Sequence, residues 1–168
     1  ERKLAAVGYE PSWSADGSKI FAVVQAPIEN ASRVIPQVYE IPLNGGSAAR
    51  ILEDQLSAFA DVGPPAWHPD GKRLSFFAIR KKDGTGGLWT LPLSGGEPTK
   101  STIAADVLGR LQAARLSRPI AFKWGPKGNA LYYQGYSKGN ENLWKIGVDP
   151  DTLQWVSGPD RLTTSSGV

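Results

Sequence analysis

The sequence predicts an all-β chain, a β-propeller segment built of four-stranded antiparallel blades, on three observations. A tryptophan-centred phrase occurs three times, as PSWSADGSKIF at 11–21, PAWHPDGKRLS at 65–75 and FKWGPKGNALY at 122–132. It places Trp13, Trp67 and Trp124 at intervals of 54 and 57 residues, and a repeat of that period signals a repeat architecture. A second phrase follows each one, VYEIPLNGG at 38–46, LWTLPLSGG at 88–96 and the looser LWKIGVDP at 143–150. Between them lie runs of branched and aromatic residues bounded by Gly, Pro, Asn and Asp, the composition of strands between turns.

The elements of a repeat follow in order. A first strand ends at the tryptophan, and an Asp-Gly or Lys-Gly turn leads into a second strand at 20–24, 74–79 or 130–133. A third strand is centred on Tyr39, Trp89 or Trp144. The turn that follows admits a fourth strand at 49–53, 98–103 or 161–164. Glycine reaches the positive φ that tight hairpin turns demand, and four antiparallel strands make one blade. One domain over 1–168 therefore holds three blades, at about 9–54, 63–103 and 118–165, with an insertion at 104–117. In that insertion apolar residues at 103, 107, 108, 111, 114 and 116 approach helical spacing, which predicts a short helix or an irregular connection.

The Trp-Ser-x-Asp-Gly and Trp-x-Pro-Asp-Gly-Lys phrases, with the Ile-Pro-Leu and Leu-Pro-Leu stretches that end in Gly-Gly, resemble the TolB-type β-propeller repeat over nearly the whole chain. The third repeat departs from it, with Lys127 in place of the aspartate and no Gly-Gly after its third strand. The closing stretch also resembles blades fused to bacterial sensor kinases and transcription regulators. The resemblance implies six blades in a closed ring, so this chain is half of one. Three blades alone leave two broad apolar faces uncovered, and two copies associated head to tail would close the ring. What the resemblance implies for function is a non-catalytic module for recognising a protein or ligand in a bacterial, periplasmic setting. Similar propellers also belong to serine peptidases of the dipeptidyl peptidase IV and prolyl oligopeptidase kind, and the alternative is a fragment of such a peptidase or of a regulator.

Composition bounds the rest. A hydrophobic fraction of 40% with 21% charged residues fits a globular chain rather than a disordered one. The uncharged stretch at 20–28 is far too short to cross a bilayer. The absence of cysteine excludes disulfides, thiolate metal sites and cysteine nucleophiles. Starting at Glu1 and lacking methionine, the chain reads as a mature or excised segment. The net charge of +3 is mild; Arg80-Lys81-Lys82 and Arg110, Arg115 and Arg118 read as a solvated loop and a helix face, and no nucleic-acid module is visible.

Chemistry is sparse. Residues 135–139 match the Gly-x-Ser-x-Gly nucleophile elbow in letters, but the elbow needs a strand-to-helix turn and here the motif falls between strands. His68, the one histidine, precedes Ser137 and has no ligand spacing around it, so it reads as a hydrogen-bonded turn residue. Asp16 and Asp70 stand before glycine, where a carboxylate caps a turn, and not in a calcium-loop pattern. No catalytic residue, metal site or cofactor is expected. The tryptophans at 13, 67, 89, 124 and 144 are expected to pack between blades, whereas Trp155 lies outside the pattern and is expected to be exposed. The innermost strands should approach the central channel, which makes Glu10, His68, Arg118 and Lys123 the candidate binding residues.

Overall fold

A computed structural model describes residues 9–14, 16–27, 34–60, 62–116 and 122–164. Strands β1 (Tyr9–Trp13), β2 (Lys19–Pro27), β3 (Val34–Pro42) and β4 (Ala49–Ile51) form one antiparallel meander in chain order. Helix α1 (Glu53–Ser57) leads to β5 (Phe59–Ala60), β6 (Ala66–Trp67), β7 (Arg73–Arg80), β8 (Gly86–Pro92) and β9 (Thr99–Lys100), the second sheet. Helix α2 (Ala105–Ala113) precedes the third sheet, β10 (Phe122–Trp124), β11 (Ala130–Ser137), β12 (Asn140–Val148) and β13 (Trp155–Arg161). The chain is all-β, and three such sheets give a propeller-type fold. Two compact units result, Glu1–Thr99 and Lys100–Val168.

Proline shapes the innermost strands. In β1 the register slips between Tyr9 and Ser12, where Pro11 can donate no ladder hydrogen bond. In the second sheet β5 and β6 lie end to end along the same edge of β7, with Pro64 and Pro65 between them. The turns that follow are built alike. The amide of residue 14, 68 or 125 donates to the carbonyl of 19, 73 or 130, and the glycine at 17, 71 or 128 donates back to the first residue's carbonyl. A third bond repeats as well, from the amides of Leu43, Leu93 and Val148 to the carbonyls of Ser18, Lys72 and Asn129.

The core of the first unit lies between its two sheets. Val23 and Val38 from the first sheet meet Leu74, Phe76, Trp89 and Leu91 from the second, with Leu56 and Phe59 from the connection between them. Phe59 meets the rings of Phe76 and Trp89 edge-on at 5.3 and 5.1 Å. In the second unit Leu131, Tyr133, Trp144 and Ile146 are buried, and the Trp144 indole N–H donates to the Gly135 carbonyl at 3.0 Å.

Two tryptophans and two strands differ from the expectation. Trp13 is 60% exposed: it ends the innermost strand of the first sheet, and among the described residues no ring is seen stacked on it as Phe21 is stacked on its counterpart Trp67. Trp155 is buried at 5% exposed rather than exposed. Residues 102–104 run parallel beside it, exchanging the bonds Trp155 N–H to Thr102 O at 2.8 Å and Ala104 N–H to Trp155 O at 3.0 Å, and α2 packs on β13. The fourth strand of the third sheet starts at Trp155, well before residue 161. The Asp149 carboxylate accepts from the amides of Asp151 and Thr152, so the chain reverses at once. In the first sheet β4 stops at Ile51 because α1 begins two residues later.

Candidate functional site

The turns after β1 and β6 bring the polar chemistry of the first unit together. In the first turn Asp16 accepts from the Ser14 hydroxyl at 2.6 Å, the Ser18 amide at 3.0 Å and the Ser18 hydroxyl at 2.8 Å. Those three donors hold its carboxyl well below the ordinary carboxylate range. The second turn substitutes His68 for Ser14. Burial raises the Asp70 carboxyl, but the Lys72 amide, the Arg73 guanidinium and the nearby His68 together outweigh it, and the net direction is down. Arg73 Nε donates to Asp70 Oδ2 at 2.6 Å. His68 Nδ1 lies 3.1 Å from Asp70 Oδ1 and 3.3 Å from the Asp70 amide, so the ring tautomer decides which of the two it engages.

Beside these turns a cleft of about 450 Å³ opens between the first and second sheets. Ser14, Asp16, Lys19 and Glu40 line it from one side and Lys72 and Ser94 from the other, with Phe21 and Leu93 among the lining residues. Lys19 and Glu40 are paired at 2.9 Å. The cleft therefore presents an acid, an ion pair, hydroxyls and the Lys72 ammonium beside the apolar Phe21 and Leu93, a mixture suited to holding a polar ligand.

The sequence-derived candidates fall in different places. His68 is 4% exposed, and its ring belongs to the turn that shapes one wall of the cleft. Glu10 lies in β1, within the stretch where the register slips. Lys123 is exposed on β10 opposite Tyr132, in the second unit. Arg118 lies outside the described residues. The cleft was not read from sequence. Its lining comes from turns on two repeats together with Lys19, Phe21 and Glu40 of β2 and β3, and only the recurrence of Asp-Gly at equivalent positions hinted that these turns share one end of the sheets.

Ser137 closes a two-residue β-hairpin. It pairs with Asn140 across Lys138 and Gly139, whose φ values are 52° and 82°. Its hydroxyl donates to the Ala114 carbonyl at 2.6 Å. A Cβ on Gly135 would lie 3.0–3.2 Å from Tyr133, Leu116 and Trp144, so this glycine answers to packing. The basic run is engaged too: Arg80 pairs with Asp83 and stands 4.8 Å over the Trp89 ring, and Lys81 donates to the Ser57 carbonyl at 2.7 Å. Among the described residues no group of three or more His, Cys, Asp or Glu could hold a metal ion, and no helix is long and apolar enough to cross a membrane.

Neither a protein-family model nor a curated protein matches the sequence. Solved structures do match. The chain is similar to a protein described as a TolB, from Agrobacterium tumefaciens, with 18% identity and a TM-score of 0.51 over 96% of this chain and 50% of that one. It is similar to the acylaminoacyl peptidase of Pyrococcus horikoshii, with 14% identity and a TM-score of 0.52 over 89% of this chain and 24% of that one. A match to the β-propeller domain of the Trilobed protease from Pyrococcus furiosus has 13% identity and a TM-score of 0.46, over 92% and 43%. The likenesses to the TolB and acylaminoacyl peptidase structures show the fold, and the chain spans about half the length of the TolB structure.

Proposed function

We propose that this chain is a non-catalytic recognition module, which holds a polar ligand or a segment of a partner protein at the turn end of its sheets. The observation that carries the reading is the cleft between the first and second sheets, where Asp16, Glu40, Lys19 and Lys72 converge. Asp16 is held by hydrogen bonds from its own turn and Lys19 is paired with Glu40 before any ligand arrives, which lowers the ordering cost of binding. The commitment of the Ser137 hydroxyl to a backbone carbonyl supports a role without acyl chemistry. In this reading two copies complete a six-bladed ring, since the three sheets of one chain span half of a TolB structure.

The similarity to an acylaminoacyl peptidase favours one second reading, in which the chain is the propeller portion of a larger peptidase. Two measurements separate the readings. The purified chain should leave peptide and ester substrates intact, and a serine-directed fluorophosphonate should not label it; turnover abolished by Ser137→Ala would sink the proposal. Short charged peptides screened by thermal shift should yield a binder whose affinity falls at least about tenfold in Lys72→Ala, the size expected for losing one charged contact. Binders indifferent to both Lys72→Ala and Glu40→Gln would place recognition elsewhere.

A further inference from the structure

The repeat supplies its own template for what covers its open ends. Inside the first unit Trp67, at the end of the second sheet's innermost strand, stacks on Phe21 of the first sheet, with centroids 5.6 Å apart and planes inclined by 28°. Phe21 stands opposite Ser12, the residue just before Trp13. In the third sheet the corresponding residue is Tyr132, opposite Lys123 and just before Trp124 in register. Val38, opposite Val23, likewise corresponds to Leu143, opposite Gln134.

Exposure separates the occupied positions from the open ones. Phe21 and Val38 are 5% and 0% exposed, whereas Leu143 is 37% exposed, beside Tyr136 at 54% and Leu162 at 46%. Trp67 is partly buried, but its counterpart Trp13 is 60% exposed. One sheet thus carries an exposed aromatic knob, and another carries the counterpart of its aromatic seat, partly buried and on the same sheet as the exposed Leu143 and Tyr136. Among the described residues, each open half has its complement in the other.

We infer that a second copy of this chain covers these faces, with Trp13 of each protomer stacked on Tyr132 of its partner in the manner of Trp67 on Phe21. The inference rests on the ring reading above and names its contact. Both halves of the pair come from this chain's own repeat, which singles out a second copy as the occupant. Two such contacts, related by a two-fold axis, close a head-to-tail pair. The seat is more polar than its internal counterpart, since Gln134 stands where the first sheet has Val23, while Lys145 in place of Glu40 reverses the charge. Association should therefore be reversible and concentration-dependent, with the aromatic pair as its anchor.

The test is sedimentation or light scattering of the whole chain over a wide concentration range. It compares the wild type with Trp13→Ser, Tyr132→Ala, the double variant and the conservative Trp13→Tyr. The wild type should approach twice 18.1 kDa. Each single disruption should raise the dissociation constant at least roughly thirtyfold, as loss of an interface anchor does. The double variant should add little, and Trp13→Tyr should retain most of the affinity. Trp13 is exposed, so its loss leaves the fold intact, which circular dichroism verifies. A dimer that ignores both single variants overturns this contact while the ring reading stands. A wild type that stays monomeric, with Trp13 in a solvent-like fluorescence environment, overturns both and assigns the face to further repeats of a longer chain. Open-ended aggregation unchanged by Trp13→Ser also overturns the contact.

Discussion

Asp16 and Asp70 hold the same place in consecutive repeats, and both are anchored as anions by donors from their own turns. Asp149 does the same in the third repeat at a different turn, through the Thr152 amide and hydroxyl and the Asp151 amide. All three carboxyls are pulled below their ordinary value. A depressed carboxylate stabilises the fold fully above its unfolded pKa of about 4, and the contribution is lost as pH falls through the folded value. The thermal midpoint should thus be insensitive to these groups above about pH 5 and decline progressively below about pH 4. Asp70→Asn should lower stability at neutral pH by removing the charge that meets Arg73, and its difference from the wild type should shrink in acid. A difference that grows on acidification would refute this assignment.

At the scale of the element, hairpins joined in register set the sheets, and one buried polar pair ties two strands together. Ser75 on β7 and Thr90 on β8 stand opposite each other at 0% and 2% exposure, with their hydroxyl oxygens 2.8 Å apart. Each satisfies the other, so removing one strands its partner. Ser75→Ala alone should cost about 1–3 kcal/mol in denaturant unfolding, whereas Ser75→Ala with Thr90→Val should recover most of it. A double-mutant cycle reads the coupling, and additive losses would show that the pair contributes nothing as a pair. The third sheet shows what the repeat tolerates. Gly125 replaces the Ser14 and His68 of its counterparts, and a Cβ there would lie 3.1 Å from the Tyr132 ring.

At the scale of the whole chain, the first unit's two sheets share one core, and Phe59 sits where they meet the connection between them. It is 1% exposed and contacts aromatic rings of β7 and β8. Phe59→Ala should cost about 3–5 kcal/mol. Because one cluster serves both sheets, the amides of β2, β3, β7 and β8 should lose hydrogen-exchange protection together. If the first sheet kept its protection while the second opened, the shared core would not be the unit of cooperativity.

The phrase around Trp13, Trp67 and Trp124 and the phrase around Tyr39, Trp89 and Trp144 determined the strand order, the turn chemistry and the propeller-type fold. These features are local: alternation, turn residues and glycine placement act within a few residues of themselves. A short helix in the insertion was one of the two readings that its local apolar spacing allowed, and α2 is that helix. Burial of the tryptophans was not. Trp13 and Trp67 carry the same local signal, yet one is exposed and the other stacked, because burial depends on whether a neighbouring sheet stands beside it. Trp155 lacked any periodic signal and is buried by residues 102–104, some fifty positions earlier in the chain. The cleft, likewise, gathers Asp16 and Lys72 from separate turns and Glu40 from β3. Local conformation is written residue by residue, whereas side-chain burial and convergent charge arise only when distant segments pack.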